Sequence, residues 1–293
     1  MNQDIQGELS ALNAEVLADI EQVAVELARV AGAEITTSLT RTFTVKYKTS
    51  APGQTAPTDP VSEIDHNVEV FIRKRLAEHF PNHDIIGEEV DLHPGAEHDF
   101  IWVIDPIDGT TNFINNFPLF AASIGVLYRG YPIVGALWCS TSHELRSGVY
   151  HAYRGGALRF EGHSLEGKGR NPGIKRYLVG DPGGSVSRAA GWDTRVTGSA
   201  SIECAFVATG ILTAARFNKP WIWDVAAGVA LIQAAGGEVW TQDQNKWVPL
   251  DRFLPPAEIV EQRQATLRDW NQSLILGTPE AVAILRKSED LSG

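Results

Sequence analysis

The stretch Trp102-Val-Ile-Asp-Pro-Ile-Asp-Gly-Thr-Thr-Asn-Phe113 sets two carboxylates, Asp105 and Asp108, just ahead of Gly109, Thr110 and Thr111. An apolar run, Ile101 to Ile104, reads as a buried strand that delivers Asp105 to its end, and Pro106 forbids an ordinary continuation of the ladder. Like charges that close repel, so a cation belongs between them. Oxygen-only donors suit a hard cation such as Mg2+, with water in its other positions. Backbone amides around Gly109 and Thr110 can then hold a phosphate beside it. More carboxylates stand in similar settings. Glu88 and Glu89 follow the short apolar strand Ile85-Ile86-Gly87. Asp224 heads Trp221-Ile-Trp-Asp-Val-Ala-Ala-Gly228, which reads as the start of a buried helix. Asp59 and Asp65 lie where a loop enters a helix.

Each carboxylate also has a plainer reading. An Asp-Pro turn can bond its own backbone. Adjacent glutamates at a strand end are most often just solvated. Ser62-x-x-Asp65 matches a capping box opening a helix. Asp224 matches an N-cap ahead of Val225-Ala-Ala-Gly, although a capped helix start also fixes a carboxylate rigidly.

The elements that must position these groups are partly visible. Leu12, Val16, Ile20, Val23, Leu27 and Val30 recur at helical spacing, and Gly32 can end that helix. Thr42 to Lys48 alternates like a strand, and Thr49 to Pro60 reads as a mobile loop. Ser62 to Phe80 reads as an amphipathic helix with Ile64, Val68, Phe71 and Leu76 inward. Three strands are expected from Leu119 to Tyr150. Further on come a helix over Ser199 to Thr209, a strand over Ile211 to Phe217, a helix over Val225 to Ala235, a strand over Leu274 to Leu276 and a helix over Pro279 to Arg286. A strand-rich first half and an alternating second half are compatible with two stacked sheets sandwiched by helices, but the pattern alone stops at a mixed α and β fold.

The chain has 293 residues, room for one large domain or two modest ones. Hydrophobic content of 43% and charged content of 21% are ordinary for a soluble globular enzyme. A net charge of −11 disfavours nonspecific binding to nucleic acid or anionic membrane. An acidic protein acting on phosphates therefore needs local positive charge, which a bound metal supplies. Cys139 and Cys204 match no metal spacing and read as buried free thiols in a reducing compartment. No secretory signal or apolar run of transmembrane length is expected, so the chain reads as cytoplasmic.

In this order, these pieces resemble the inositol monophosphatase family. Its first signature, Asp-Pro-Ile-Asp-Gly-Thr, is intact from Asp105 to Thr110. Its second, Trp-Asp-x-Ala-x-Gly, is intact from Trp223 to Gly228, and its Gly-Glu-Glu element stands at Gly87 to Glu89. The likeness runs from about Val45 to the C-terminal helix. It implies a mixed α/β (α+β) fold, the layered α/β/α/β/α sandwich. That fold would be one unit over 1–293, with an α+β half over 1–152 and an α/β half over 153–293.

It also implies Mg2+-dependent hydrolysis of a small phosphate monoester, of the inositol or sugar phosphate type, by metal-activated water. By resemblance, two or three Mg2+ ions are engaged. Asp105 bridges two of them, Asp108 binds the one near the leaving group, and the Ile107 carbonyl completes the first metal's shell. Glu88 binds metal and activates water together with Thr110. Asp65 lies near a third, weaker site. Asp224 binds the second metal and touches a substrate hydroxyl. Gly109, Thr110 and Thr111 cradle the phosphate, and Ala200, in Gly198-Ser-Ala200, lines the alcohol side. A homodimer, lithium sensitivity and a small phosphorylated metabolite as partner are implied too.

The sequence departs from the pattern in two places. Where animal inositol monophosphatases carry a Glu that grips inositol hydroxyls, this chain has Phe217, flanked by Arg216 and Asn218. The loop before Asp59 is also longer, with Lys46 and Lys48 upstream. The rivals are therefore a phosphatase of histidinol phosphate, fructose 1,6-bisphosphate or 3′-phosphoadenosine 5′-phosphate on the same fold, and a catalytically idle binding or regulatory homologue. Thr111-Asn-Phe113 leans toward the inositol or sugar phosphate branch. Gly162-His-Ser-Leu-Glu-Gly-Lys168 imitates a P-loop, but Gly169 stands where Ser or Thr must bind Mg2+.

Overall fold

The computed structural model describes residues 9, 12–41, 45–47, 60–90, 98–167, 173–174, 176–181, 191–244, 246–257, 259–260 and 263–290. Helix α1 (Ala14–Ser38) opens on Asn13, whose side chain accepts the Val16 amide at 2.8 Å. Leu17, Ile20, Ala24, Leu27, Ala28, Ala31 and Ile35 form its buried stripe, while Val16 (39%) and Val30 (43%) are exposed. Gly32 does not end the helix. It sits mid-helix under the Trp138 indole, where a Cβ would collide with the ring.

A short antiparallel pair, β1 (Val45–Tyr47) and β2 (Pro60–Ser62), leads into α2 (Glu63–His79). The remainder of the expected Thr42–Lys48 strand, Asp59 and the loop before it lie outside the described residues, as does the Ser62 side chain that a capping box requires. Ile64, Val68, Ile72 and Leu76 point inward from α2. Phe71, expected inward, is 39% exposed, because Ile72 takes the place one helical turn after Val68.

The first sheet has the order β3 (Asp84–Gly87), β4 (Phe100–Asp108), β5 (Ala121–Tyr128), β6 (Tyr131–Cys139), β7 (Gly148–Tyr153), β8 (Arg159–Phe160), β9 (His163–Ser164). Between β4 and β5 lies a one-turn helix, α3 (Thr110–Ile114). Among the described residues of this sheet, only β3 and β4 pair in parallel. Pro106 does interrupt the ordinary ladder, as expected, but strand β4 does not end at Asp105 as the sequence suggested. It runs on to Asp108 through a register shift against β5 between Asp105 and Asp108, and its pairing with β3 ends earlier, at Gly87 opposite Ile104. The proline thus falls in a bulge, where strands tolerate one.

The second sheet contains β10 (Tyr177–Gly180), β11 (Trp192–Arg195), β12 (Ala214–Phe217), β13 (Glu238–Asp243), β14 (Lys246–Pro249) and a late strand, Leu274–Gly277. Its order is β11, β10, β12, the late strand, β13, β14, parallel only across the first three. Helices α4 (Ala200–Ala208) and α5 (Ile222–Ala234) lie between the two sheets, and α6 (Pro279–Asp290) covers the far face of the second. Helices α1 and α2 cover the far face of the first sheet. The layers are therefore α/β/α/β/α, the arrangement the resemblance implied. Among the described residues, no helix is long and apolar enough to cross a membrane.

Candidate active site

Asp105 and Asp108 stand three positions apart on one strand, which in regular pleating would send their side chains to opposite faces. The bulge removes that alternation. Carboxylate oxygens of Asp105, Asp108 and Asp224 consequently all lie within 4.8 Å of one another.

The N-terminus of α4 orients Asp108. Ser199 Oγ donates to Oδ2 at 2.6 Å, the Ser201 amide donates to Oδ2 at 2.5 Å and the Ala200 amide to Oδ1 at 3.3 Å. Such amides favour negative charge. Burial outweighs them and pushes the Asp108 carboxyl up to about 6. Burial, followed by the neighbouring Glu88, Asp108 and Asp224, also holds Asp105 well above the usual carboxylate range. Asp105 Oδ1 is buried with no hydrogen-bond partner. An orphaned buried acceptor among converging carboxylates is what a hard divalent cation with oxygen ligands requires, so this donor set fits Mg2+.

Asp224 is not the N-cap that the sequence suggested. Helix α5 starts earlier than Val225, its N-cap is Trp221, and Asp224 is the third helical residue. Asp224 Oδ2 accepts the Trp221 amide at 2.8 Å, which fixes the carboxylate toward the cluster. From α2, buried Asp65 presents Oδ1 to the Thr110 hydroxyl at 3.2 Å, and that hydroxyl also reaches the Ile107 carbonyl at 2.9 Å. Gly109 adopts φ +87° before α3, and a Cβ there would press on the Leu119 and Gly198 carbonyls at 3.1 and 3.2 Å. Thr111 is exposed beside it. Asn112 ties this turn to the loop before α4, donating to the Leu119 carbonyl at 2.6 Å and the Thr197 carbonyl at 2.8 Å.

Glu88 lies against Asp105. The backbone that carries it is gripped from two sides by residues the sequence reading missed. Buried Glu69, on α2, accepts the Glu89 amide at 2.7 Å and the Val90 amide at 3.2 Å, and Arg73 holds Glu69 at 2.7 Å. Arg268 donates to the carbonyls of Gly87 and Glu88. Ser199 was missed as well, although a serine three positions before Ile202 is a legible N-cap. Nothing local marks Glu69 or Arg268. Glu203, in the first turn of α4, accepts the Thr197 amide and hydroxyl at 3.2 and 2.9 Å, yet burial pushes its carboxyl up to about 7. Phe217, only 4% exposed, belongs to the core between the sheets and pairs with Leu274. Cys139 and Cys204 are buried free thiols, as expected.

The sequence profile of the inositol monophosphatase family matches residues 16–272. The inositol-1-monophosphatase of Bacillus subtilis is 33% identical over 243 residues, 76% of this chain and 85% of that protein. The Nus factor SuhB of Escherichia coli is 31% identical over 231 residues, 74% of this chain and 85% of that protein. The Thermotoga maritima IMPase TM1415 structure superimposes with a TM-score of 0.68 at 22% identity, covering 94% of this chain and 100% of that one, and so shares its fold. The chain belongs to the inositol monophosphatase family of phosphomonoesterases.

Proposed function

We propose that this protein hydrolyses a small phosphate monoester of the inositol or sugar phosphate type with the help of Mg2+. The observation that carries this reading is the cluster of Asp105, Asp108 and Asp224 around an unpartnered Asp105 Oδ1. Glu88, Asp105, Asp108, Asp224 and the Ile107 carbonyl would hold the ions. When bound, such ions neutralise phosphate charge, activate water and stabilise a departing alkoxide. The chain's own residues account for the rest. Glu88 and Thr110 orient the attacking water. The Thr110 hydroxyl can pass its hydrogen to Asp65 Oδ1, 3.2 Å away, as it accepts one from that water. Amides of Gly109, Thr110 and Thr111 cradle the phosphate. Ala200 and Asp224 face the alcohol. With Phe217 in the core, that position offers no carboxylate to grip inositol hydroxyls.

The test is phosphate release, with Mg2+ and with EDTA, from inositol 1-phosphate, histidinol phosphate, fructose 1,6-bisphosphate, 3′-phosphoadenosine 5′-phosphate and glycerol 2-phosphate. Mg2+-dependent turnover of inositol 1-phosphate or glycerol 2-phosphate above the others is expected. Preference for any of the remaining three moves the protein to that branch. The likeness to a protein named as a Nus factor supports a second reading, a catalytically idle binding homologue. No turnover of any ester would favour it. A cytoplasmic, lithium-sensitive homodimer completes the proposal, and a monomer by light scattering or full activity in lithium would remove the corresponding part.

A further inference from the structure

We propose that Arg268 is a positioning residue for this centre. It locks the Glu88 loop to the Trp223–Asp224 segment and so sets how Glu88 and Asp224 stand around Asp105. The inference rests on the metal-cluster reading above.

Arg268 lies in a short 3-10 turn, Leu267–Asp269, that is itself well anchored. Asp269 accepts the Thr266 amide at 2.7 Å, and Leu267 and Trp270 are buried, with Trp270 edge-on to Phe253 at 4.8 Å. From this base the guanidinium donates to two successive carbonyls, one terminal nitrogen to Gly87 and the other to Glu88, the latter at 3.1 Å. Its Cζ lies over the Trp223 ring, 5.1 Å from the ring centre, and Trp223 stacks on Trp221 at 5.2 Å. Trp223 immediately precedes Asp224, and the Asp224 carboxylate caps the Trp221 amide, which donates to it.

One side chain therefore touches both segments that bring carboxylates to Asp105 from outside β4. The two segments come from different layers: Glu88 follows β3 of the first sheet, and Asp224 sits on α5 between the sheets. On the other flank, Glu69 takes the Glu89 and Val90 amides while Arg73 reaches the Val90 carbonyl at 3.2 Å. The backbone from Gly87 to Val90 is thus held by its carbonyls on one side and mainly by its amides on the other. Arginine suits the Arg268 position better than lysine, because two separate donors and a cation over the indole are used together. A lysine keeps the charge but cannot bridge both carbonyls and cover the indole.

Arg268→Lys and Arg268→Met test this in the full chain, with Arg176→Met, an exposed fork on Asp193, as control. Mn2+ binding to EDTA-treated protein is measured by calorimetry, and kcat and KM by phosphate release. Both Arg268 variants are expected to lose about 10- to 100-fold in Mn2+ affinity and kcat. KM should move less than about threefold, because the phosphate cradle is on a different element. In a Glu88→Gln background the same substitutions should cost clearly less than they do alone, since the part of the interaction that runs through the Glu88 carboxylate is already lost and only the part that runs through Trp223 and Asp224 remains. Wild-type Mn2+ affinity and kcat in Arg268→Lys would overturn the proposal, as would losses that simply add to those of Glu88→Gln. If Arg268→Met fails to fold, Arg268→Lys decides. If the wild type binds Mn2+ but hydrolyses no ester, the proposed activity falls while the Mn2+ isotherms still decide the role of Arg268.

Discussion

Ser199 receives the Ile202 amide at 3.2 Å and gives its own hydrogen to Asp108 at 2.6 Å. The residue that starts α4 is therefore also one that aims a carboxylate of the cluster. Removing a serine cap weakens a helix by about 1 kcal/mol, and a hydrogen bond to a charged group contributes about 1.5–3 kcal/mol. Ser199→Ala should lower the melting temperature by several degrees and kcat by at least about tenfold. Ser199→Thr should restore most of both. A kcat unchanged in Ser199→Ala would show that Asp108 needs no such orientation.

Asp105 is buried, flanked by carboxylates and lacks a partner at Oδ1. Asp105→Asn removes a charge that only a cation could satisfy. Turnover should fall by at least about 100-fold. The protein should remain folded by circular dichroism, and in EDTA it should melt no lower than the wild type, because the cost of keeping that buried carboxyl protonated has gone. Retained activity would sink the assignment of Asp105 as the central ligand.

The raised acids predict a pH dependence of stability with a definite sign. Asp108, pushed up to about 6, and Glu203, pushed up to about 7, hold protons in the folded state that the unfolded chain has already released. Folding is therefore favoured at low pH, and this stabilisation is lost as pH rises through 6 and 7. In EDTA, the melting temperature should drop from about pH 4 to about pH 7, that is, from the ordinary values of these two carboxyls, 3.8 and 4.5, up to their raised values of about 6 and 7. Added Mg2+ should flatten the Asp108 part of that slope, because a bound cation keeps the carboxylate ionised throughout. A chelated protein that gains stability across the same range would contradict this account.

The Thr110 hydroxyl and Asp65 are separated by 45 residues but lie in hydrogen-bond contact. Thr110→Val should lower kcat by about 100-fold, and Asp65→Asn by a similar factor. The double variant should lose little more than either single one, since both act on one proton path. Thr110→Ser should keep most of the activity. Strictly additive losses would mean that the two residues work separately.

Much of the site was legible because its central piece is local. Pro106 and the left-handed Gly109 confine the turn that carries Asp105, Asp108 and Thr110 to a narrow range of shapes, whatever surrounds it. Helical periodicity likewise marked α1 and α2, because apolar spacing is set by the helix itself. It erred where a neighbour decided the outcome. Gly32 reads as a helix end in isolation, yet its missing Cβ makes room for Trp138 from another layer. Phe71 and Ile72 are equally apolar, and the position of the sheet chose Ile72. The strand was expected to end at Asp105, whereas a bulge around Pro106 carries it on to Asp108.

The sequence by itself therefore determined the family, the layered fold class and which acidic residues could gather. The family and the acids are written in contiguous motifs, and the layered fold follows from the family likeness those motifs carry, since the period of single elements gives only a mixed α and β fold. Only the tertiary structure decided how those acids are held. Glu69 presses on the Glu89 and Val90 amides from α2, Ser199 reaches Asp108 across 91 residues, and Arg268 reaches the Glu88 carbonyl across 180. A polar side chain turned inward leaves no periodic trace, and its partners exist only once distant layers have packed together.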